Sequence, residues 1–113
     1  MQIRAKRIYD KQEKADGFRV LVDRLWPRGV AKADAGVDVW AKDIAPSAAL
    51  RTWFHADPEN RFAEFSKRYV TELGRSERFP AFRRTVRQKK SVTLLSAAKD
   101  LRHSHVAVLL KNI

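Results

Sequence analysis

The 113-residue sequence predicts an α/β fold: a small three-layer sandwich whose short, mostly parallel sheet is flanked by helices, formed as one domain over residues 1–113. Three observations predict it. Two apolar runs rich in branched residues, 20–22 and 92–95, read as buried strands. The long stretch between them carries helical periodicity, as a right-handed crossover between parallel strands requires. No repeat, low-complexity tract or Gly/Ser/Pro-rich linker divides the chain, and its length suffices for one core.

The first strand is expected over 3–9, followed by the charged, turn-prone segment 10–17, and the second over 18–25. That linker is too short for a helical crossover, so if these two strands are neighbours they should pair antiparallel. Helices follow. Ser47 after Pro46 is placed to cap a helix over 48–54 whose Leu50, Trp53 and Phe54 share a face. Asp57 before Pro58 repeats the start signal, and Phe62, Phe65, Tyr69 and Leu73 form a core-facing stripe that Gly74 should terminate. Pro80 opens another helix with Phe79, Phe82 and Val86 on its buried side. The run 92–95 should be the central strand. In the last segment Val106 and Val108 favour a strand, but Val106, Leu109, Leu110 and Ile113 fall at i, i+3, i+4 and i+7, which decides for helix.

With no cysteine, disulfides, thiolate nucleophiles and cysteine-ligated zinc or iron–sulfur centres are excluded. The charged N-terminal stretch has no secretion-signal core, and the apolar run 106–110 is far short of the ~20 residues that span a bilayer. The expectation is a cytoplasmic protein without a membrane partner. Twenty-four Lys plus Arg against 13 Asp plus Glu give a net charge of +11, which attracts nucleic acid or phosphorylated small molecules. The same excess also serves solubility alone.

Ligands of open parallel sheets sit outside the carboxyl ends of the strands, here 23–29 and 96–105. In the first segment, Arg24 and Arg28 offer planar, permanently charged forks that match phosphate or carboxylate oxygens. Pro27 and Gly29 can hold the turn tightly, Asp23 would orient an arginine, and Trp26 would line the pocket or anchor the core. The second segment adds Lys99 for charge, Ser96 and Asp100 as pocket residues, and His103 and His105 as proton-handling groups, with a helix start directed at the anion. Trp40, Lys42 and Asp43 would complete the pocket wall if the first helix folds back over the strand ends, with core packing the alternative for Trp40. His103, His105 and Asp100 are potential metal ligands, but two histidines two apart on a helix point to different sides, so no metal and no cofactor is expected. Residues 75–90 carry seven bases and one acid, and Arg83, Arg84 and Arg87 on one helix side could track a nucleic-acid backbone or be a solvated face.

The segments RIYDKQEKADGFRVLVDRLWPRG, WAKDIAPSAALRTWFHADPENRFAEFSKRY and VTLLSAAKDLRHSHVAVLL together resemble the YeaO-like branch of the domain-of-unknown-function 488 family over nearly the whole chain. The resemblance implies a small cytoplasmic bacterial or archaeal α/β protein and no defined activity. The wider family keeps an aspartate and arginine after its early strand, matched by Asp23 and Arg24. After its late strand it keeps a cysteine, a glutamate and a Cys-His-Arg triplet, of which His105 matches the histidine. Ser96 and Ala98 stand at the cysteine and glutamate positions. The thiol-based or metal chemistry of the wider family therefore lacks its residues here, while the anion clamp keeps its own.

Together these readings point to a polar pocket binding an anionic small molecule, with or without chemistry upon it. The alternative is a nucleic-acid-associated module using the basic helix. The sequence leaves the ligand, the reaction and the oligomeric state open.

Overall fold

A computed structural model describes residues 1–113. Its elements are β1 (Gln2–Arg7), β2 (Phe18–Leu21), β3 (Val39–Trp40), α1 (Ala48–His55), α2 (Pro58–Arg75), α3 (Phe79–Arg87), β4 (Ser91–Ser96) and α4 (His105–Asn112), with single 3₁₀ turns in four connections. No helix is long and apolar enough to cross a membrane.

The four strands form one parallel sheet in the order β1-β4-β2-β3. β4 is central: Val92 is opposite both Ile3 and Phe18, and Leu95 is opposite both Lys6 and Leu21. Its residues Val92 to Ser96 are all buried, as a strand covered on both faces must be. β4 lies between the first two strands, so the condition attached to their antiparallel pairing, that they be neighbours, is not met. They are not neighbours, so the short linker between them crosses one strand rather than turning a hairpin. Both also end early, at Arg7 and Leu21, because the chain leaves the sheet where β4 leaves it at Ser96.

The two faces are covered differently. Val20, Val22, Val92 and Leu94 pack against residues of all four helices, including Leu50, Phe54, Phe65, Tyr69, Val86, Val106 and Leu109. Leu21, Leu95 and Ile8 face the other way under Trp26, Val30, Val37 and Trp40, so the third layer consists of loops and 3₁₀ turns. Ser47 caps α1 by accepting from the Leu50 amide, as its position predicts. The stripe Phe65, Tyr69, Leu73 is buried, but α2 continues through Gly74 to Arg75, so the glycine does not stop it.

The loop layer is held by a buried charge cluster. Asp16 (1% exposed) pairs with the Arg19 guanidinium and, at 2.9 Å, with Lys6 Nζ. Arg19 (4% exposed) also donates to the carbonyls of Gly36 (2.9 Å) and Ala35 (3.2 Å), tying the loop before β3 to the loop before β2. Burial pushes the Asp16 carboxyl up, but hydrogen bonds from the Glu13 amide, Lys6 and Arg19 prevail and hold it below the usual range. Gly17 enters β2 at φ +66°, where a Cβ would stand 2.5 Å from the Ser91 carbonyl oxygen.

Candidate functional site

Beyond the carboxyl ends of β2 and β4 lies a hollow of about 750 Å³. Asp23, the second residue past β2, organises its floor. Its Oδ1 accepts from Ser96 Oγ (2.7 Å) and its Oδ2 from the Ala97 amide (2.8 Å), joining the ends of the two strands. His105, the first residue of α4, brings Nε2 to 3.0 Å from Asp23 Oδ1 and 3.1 Å from the Val22 carbonyl oxygen. Both neighbours are acceptors, so Nε2 is the nitrogen that donates. Burial pushes the Asp23 carboxyl up, but the bonds from His105, Ala97 and Ser96 outweigh it and hold the group below the usual carboxylate range.

Asp23 therefore orients a histidine and a strand end, and the expectation that it orients an arginine is corrected. Arg24 instead donates through Nε to the Pro46 carbonyl (3.1 Å) and through Nη2 to that of Ala45 (3.3 Å). Those carbonyls belong to the segment just before α1, and they fix the guanidinium at the mouth without neutralising it.

The loop after Arg24 is tied back on itself. Trp26 Nε1 donates to the Val30 carbonyl at 2.7 Å, closing the turn over the buried Pro27, and Gly29 takes φ +76°. Arg28, on this turn, extends into solvent with no ion-pair partner, while its carbonyl accepts from Tyr9 Oη (3.1 Å). Across the hollow, Lys99 has no ion pair either. Asp100 is occupied by the Arg102 amide (3.1 Å) and His103 Nδ1 (2.8 Å), and the bond to His103 depresses its carboxyl. His103 also stands edge-on to Phe62.

The structure thus brings Asp23, Arg24, Trp26, Arg28, Ser96, Lys99, Asp100, His103 and His105 to one concavity. Two expected members are elsewhere. Trp40 lies on the loop-covered face against Trp26, its Nε1 donating to the Asp23 carbonyl (2.7 Å), so it supports the site from behind. Asp43 is exposed and faces Arg78 at 3.8 Å, because a 3₁₀ turn carries it away from the strand ends. Of the basic-helix residues, Arg83 and Arg84 are exposed and unpaired, whereas Arg87 donates to the Ile113 carbonyl (3.0 Å).

The wall also carries Arg51 and His55, four apart on α1; the sequence gives no sign of Arg51, and it offers His55 only as a histidine the fold would have to bring in for a metal site. That spacing puts them on one helix face, a signal that gains meaning only once α1 is known to roof the strand ends. Burial and then the charges of Arg51 and His105 push the His55 imidazole below its ordinary range. All three histidines of the chain consequently line this hollow. Its wall carries four permanent cations, Arg24, Arg28, Arg51 and Lys99, none ion-paired. Its two carboxylates are both engaged by histidines. No three His, Asp or Glu side chains are spaced to share a metal ion.

Residues 2–113 match the family model described as the inactive DUF488-N3 subclade. The uncharacterised protein YeaO of Escherichia coli is 42% identical over 109 residues, covering 96% of this chain and 94% of that protein. The uncharacterised protein Rv3073c of Mycobacterium tuberculosis is 44% identical over 108 residues, covering 96% of this chain and 90% of that protein. No solved structure matches.

Proposed function

The chain belongs to the DUF488 family, in its inactive N3 subclade, and on that premise we propose that it is a binding protein for a small anion, a phosphate ester or carboxylate, seated in the strand-end hollow. The observation that carries this reading is the imbalance of charge on the wall. Four cations lack ion-pair partners, while the two carboxylates that could neutralise them are already held by His105 and His103. A guanidinium anchored on backbone carbonyls, as Arg24 is, loses little side-chain freedom on meeting an anion. Charged hydrogen bonds to it are worth about 1.5–3 kcal/mol each.

Binding without turnover fits the hydroxyl groups present. Ser96 is 0% exposed and its hydroxyl donates to Asp23, so no substrate atom reaches it. Ser104 is buried as the α4 cap, accepting from the Val106 amide. Tyr9 donates to the Arg28 carbonyl. An Asp–His pair whose carboxylate also holds two strand ends is suited to fixing an imidazole beside an anion.

A thermal-shift panel of inorganic phosphate, pyrophosphate, sugar phosphates and aromatic carboxylates tests the reading, since a ligand of the folded state raises the melting temperature. At least one anion should do so in wild type and fail in Arg28→Ala/Lys99→Ala. A panel in which no anion stabilises the protein, or in which the double variant responds equally, refutes it.

A further inference from the structure

A second charged surface lies at the opposite end of the sheet. The hollow opens at the carboxyl ends of the strands, whereas α3 and the turn after it lead into the amino end of β4 at Ser91. A six-residue strand spans about 20 Å, so the two regions are separate.

From 79 to 99 the chain contains no acidic residue and six basic ones. α3 turns Phe79 and Val86 into the core, with Phe82 packed against it, and so presents Arg83 and Arg84 to solvent. Lys89 and Lys90 follow, both exposed; Lys89 lies over the Phe18 ring, and the Lys90 carbonyl is fixed by the Gln2 amide (2.8 Å). None of these four cations has an ion-pair partner, in contrast to Arg78, which faces Asp43, and Arg87, which is tied to the Ile113 carbonyl.

The type of partner follows from what the face lacks. No large apolar side chain is exposed within 75–90, so it has nothing to insert into a lipid surface. Its phenylalanines belong to the core, so no aromatic is free to stack on unpaired bases. Gln88 is the one exposed amide side chain in 75–90, too few for a pattern that reads base edges, and what remains is a run of exposed positive charge. We propose that Arg83, Arg84, Lys89 and Lys90 form a second anion surface, which takes the phosphate backbone of double-helical nucleic acid without reading its sequence.

Fluorescence anisotropy with a labelled duplex of about 20 base pairs tests this. Four phosphate contacts predict that wild type loses affinity by on the order of a hundredfold between about 50 and about 200 mM salt. Arg83→Ala/Arg84→Ala should bind more weakly at low salt and lose only about tenfold over the same range. Arg28→Ala/Lys99→Ala removes the same charge from the hollow and should keep the wild-type salt dependence. All four side chains are exposed, so both double variants should fold. Absence of duplex binding at about 50 mM salt overturns the proposal. So do equal losses in the two double variants, which would assign the attraction to net charge alone, and preference for a single strand or for anionic vesicles over the duplex.

Discussion

Asp23 is the residue whose removal the structure makes most costly. Truncation to alanine takes the acceptor from Ser96 Oγ, from the Ala97 amide and from His105 Nε2 at once, at distances of 2.7, 2.8 and 3.0 Å. Hydrogen bonds to a charged group contribute about 1.5–3 kcal/mol each, and breaking a buried charged network on one side costs about 3–5 kcal/mol. Ser96 keeps the Ala98 amide as a donor to it, and His105 keeps the Val22 carbonyl, so the lower half of that range, about 3–4 kcal/mol, is expected. For a domain of this size that corresponds to a fall in melting temperature of roughly 15 °C. Asp23→Asn keeps one acceptor but turns an amide donor toward another donor, and should cost about 2 kcal/mol. The carboxyl is held below its usual range in the fold, so its contribution is complete above the unfolded value near ~4 and is lost as pH falls through the folded value. Urea melts of wild type and both variants from about pH 7 down to about pH 3 should therefore show a gap that is constant above about pH 5 and narrows in acid. A melting temperature of Asp23→Ala within about 2 °C of wild type, or a gap indifferent to acid, refutes the assignment.

Three further predictions concern the frame of the site. Tyr69 Oη donates to the Ile44 carbonyl at 2.6 Å in the core, so Tyr69→Phe should destabilise by about 1–3 kcal/mol in urea melts, and no change would contradict that bond. Gly17→Ala meets both a left-handed φ and the Ser91 carbonyl oxygen 2.5 Å from the new Cβ, and should cost roughly 2 kcal/mol or more in the same assay; a neutral result would contradict the approach of β2 to β4 at this point. His55 is held below its ordinary range, so the folded protein resists its protonation and loses stability as pH falls from the unfolded value near ~6.5 through the folded one. His55→Ala should show a flatter stability profile between about pH 7 and about pH 5, and an unchanged slope would contradict the placement of Arg51 and His105 beside it.

Much of this was legible because the local signals agree with the tertiary result. Ser47 caps α1, the Phe65–Tyr69–Leu73 stripe is the buried face of α2, and α4 is the helix its spacing predicts despite two valines. The strand ends carry the charged segments, and the segments converge. What stayed hidden depends on partners distant in sequence. β3 is two residues long, too short to show a period, and exists because Val39 and Trp40 pair with Val20 and Leu21. The insertion of β4 between β1 and β2 has no local signature, and it decides that the short linker between them bridges a strand. Asp16 lies in the charged, turn-prone segment and Arg19 in the expected second strand, and nothing local shows that the two are buried on each other. Arg51 and His55 gain their place in the wall only once α1 lies over the hollow.

The central claim, that a small anion sits between Arg24, Arg28, Arg51 and Lys99, is tested most directly by a two-dimensional ¹⁵N NMR titration with pyrophosphate and the best stabiliser of the thermal panel. Saturating shifts should appear at the Ala97, Ala98 and His105 amides and the Trp26 indole, all at the hollow, and leave the Arg83 and Arg84 amides in place. Shifts confined to α3, or none at any concentration, would contradict it.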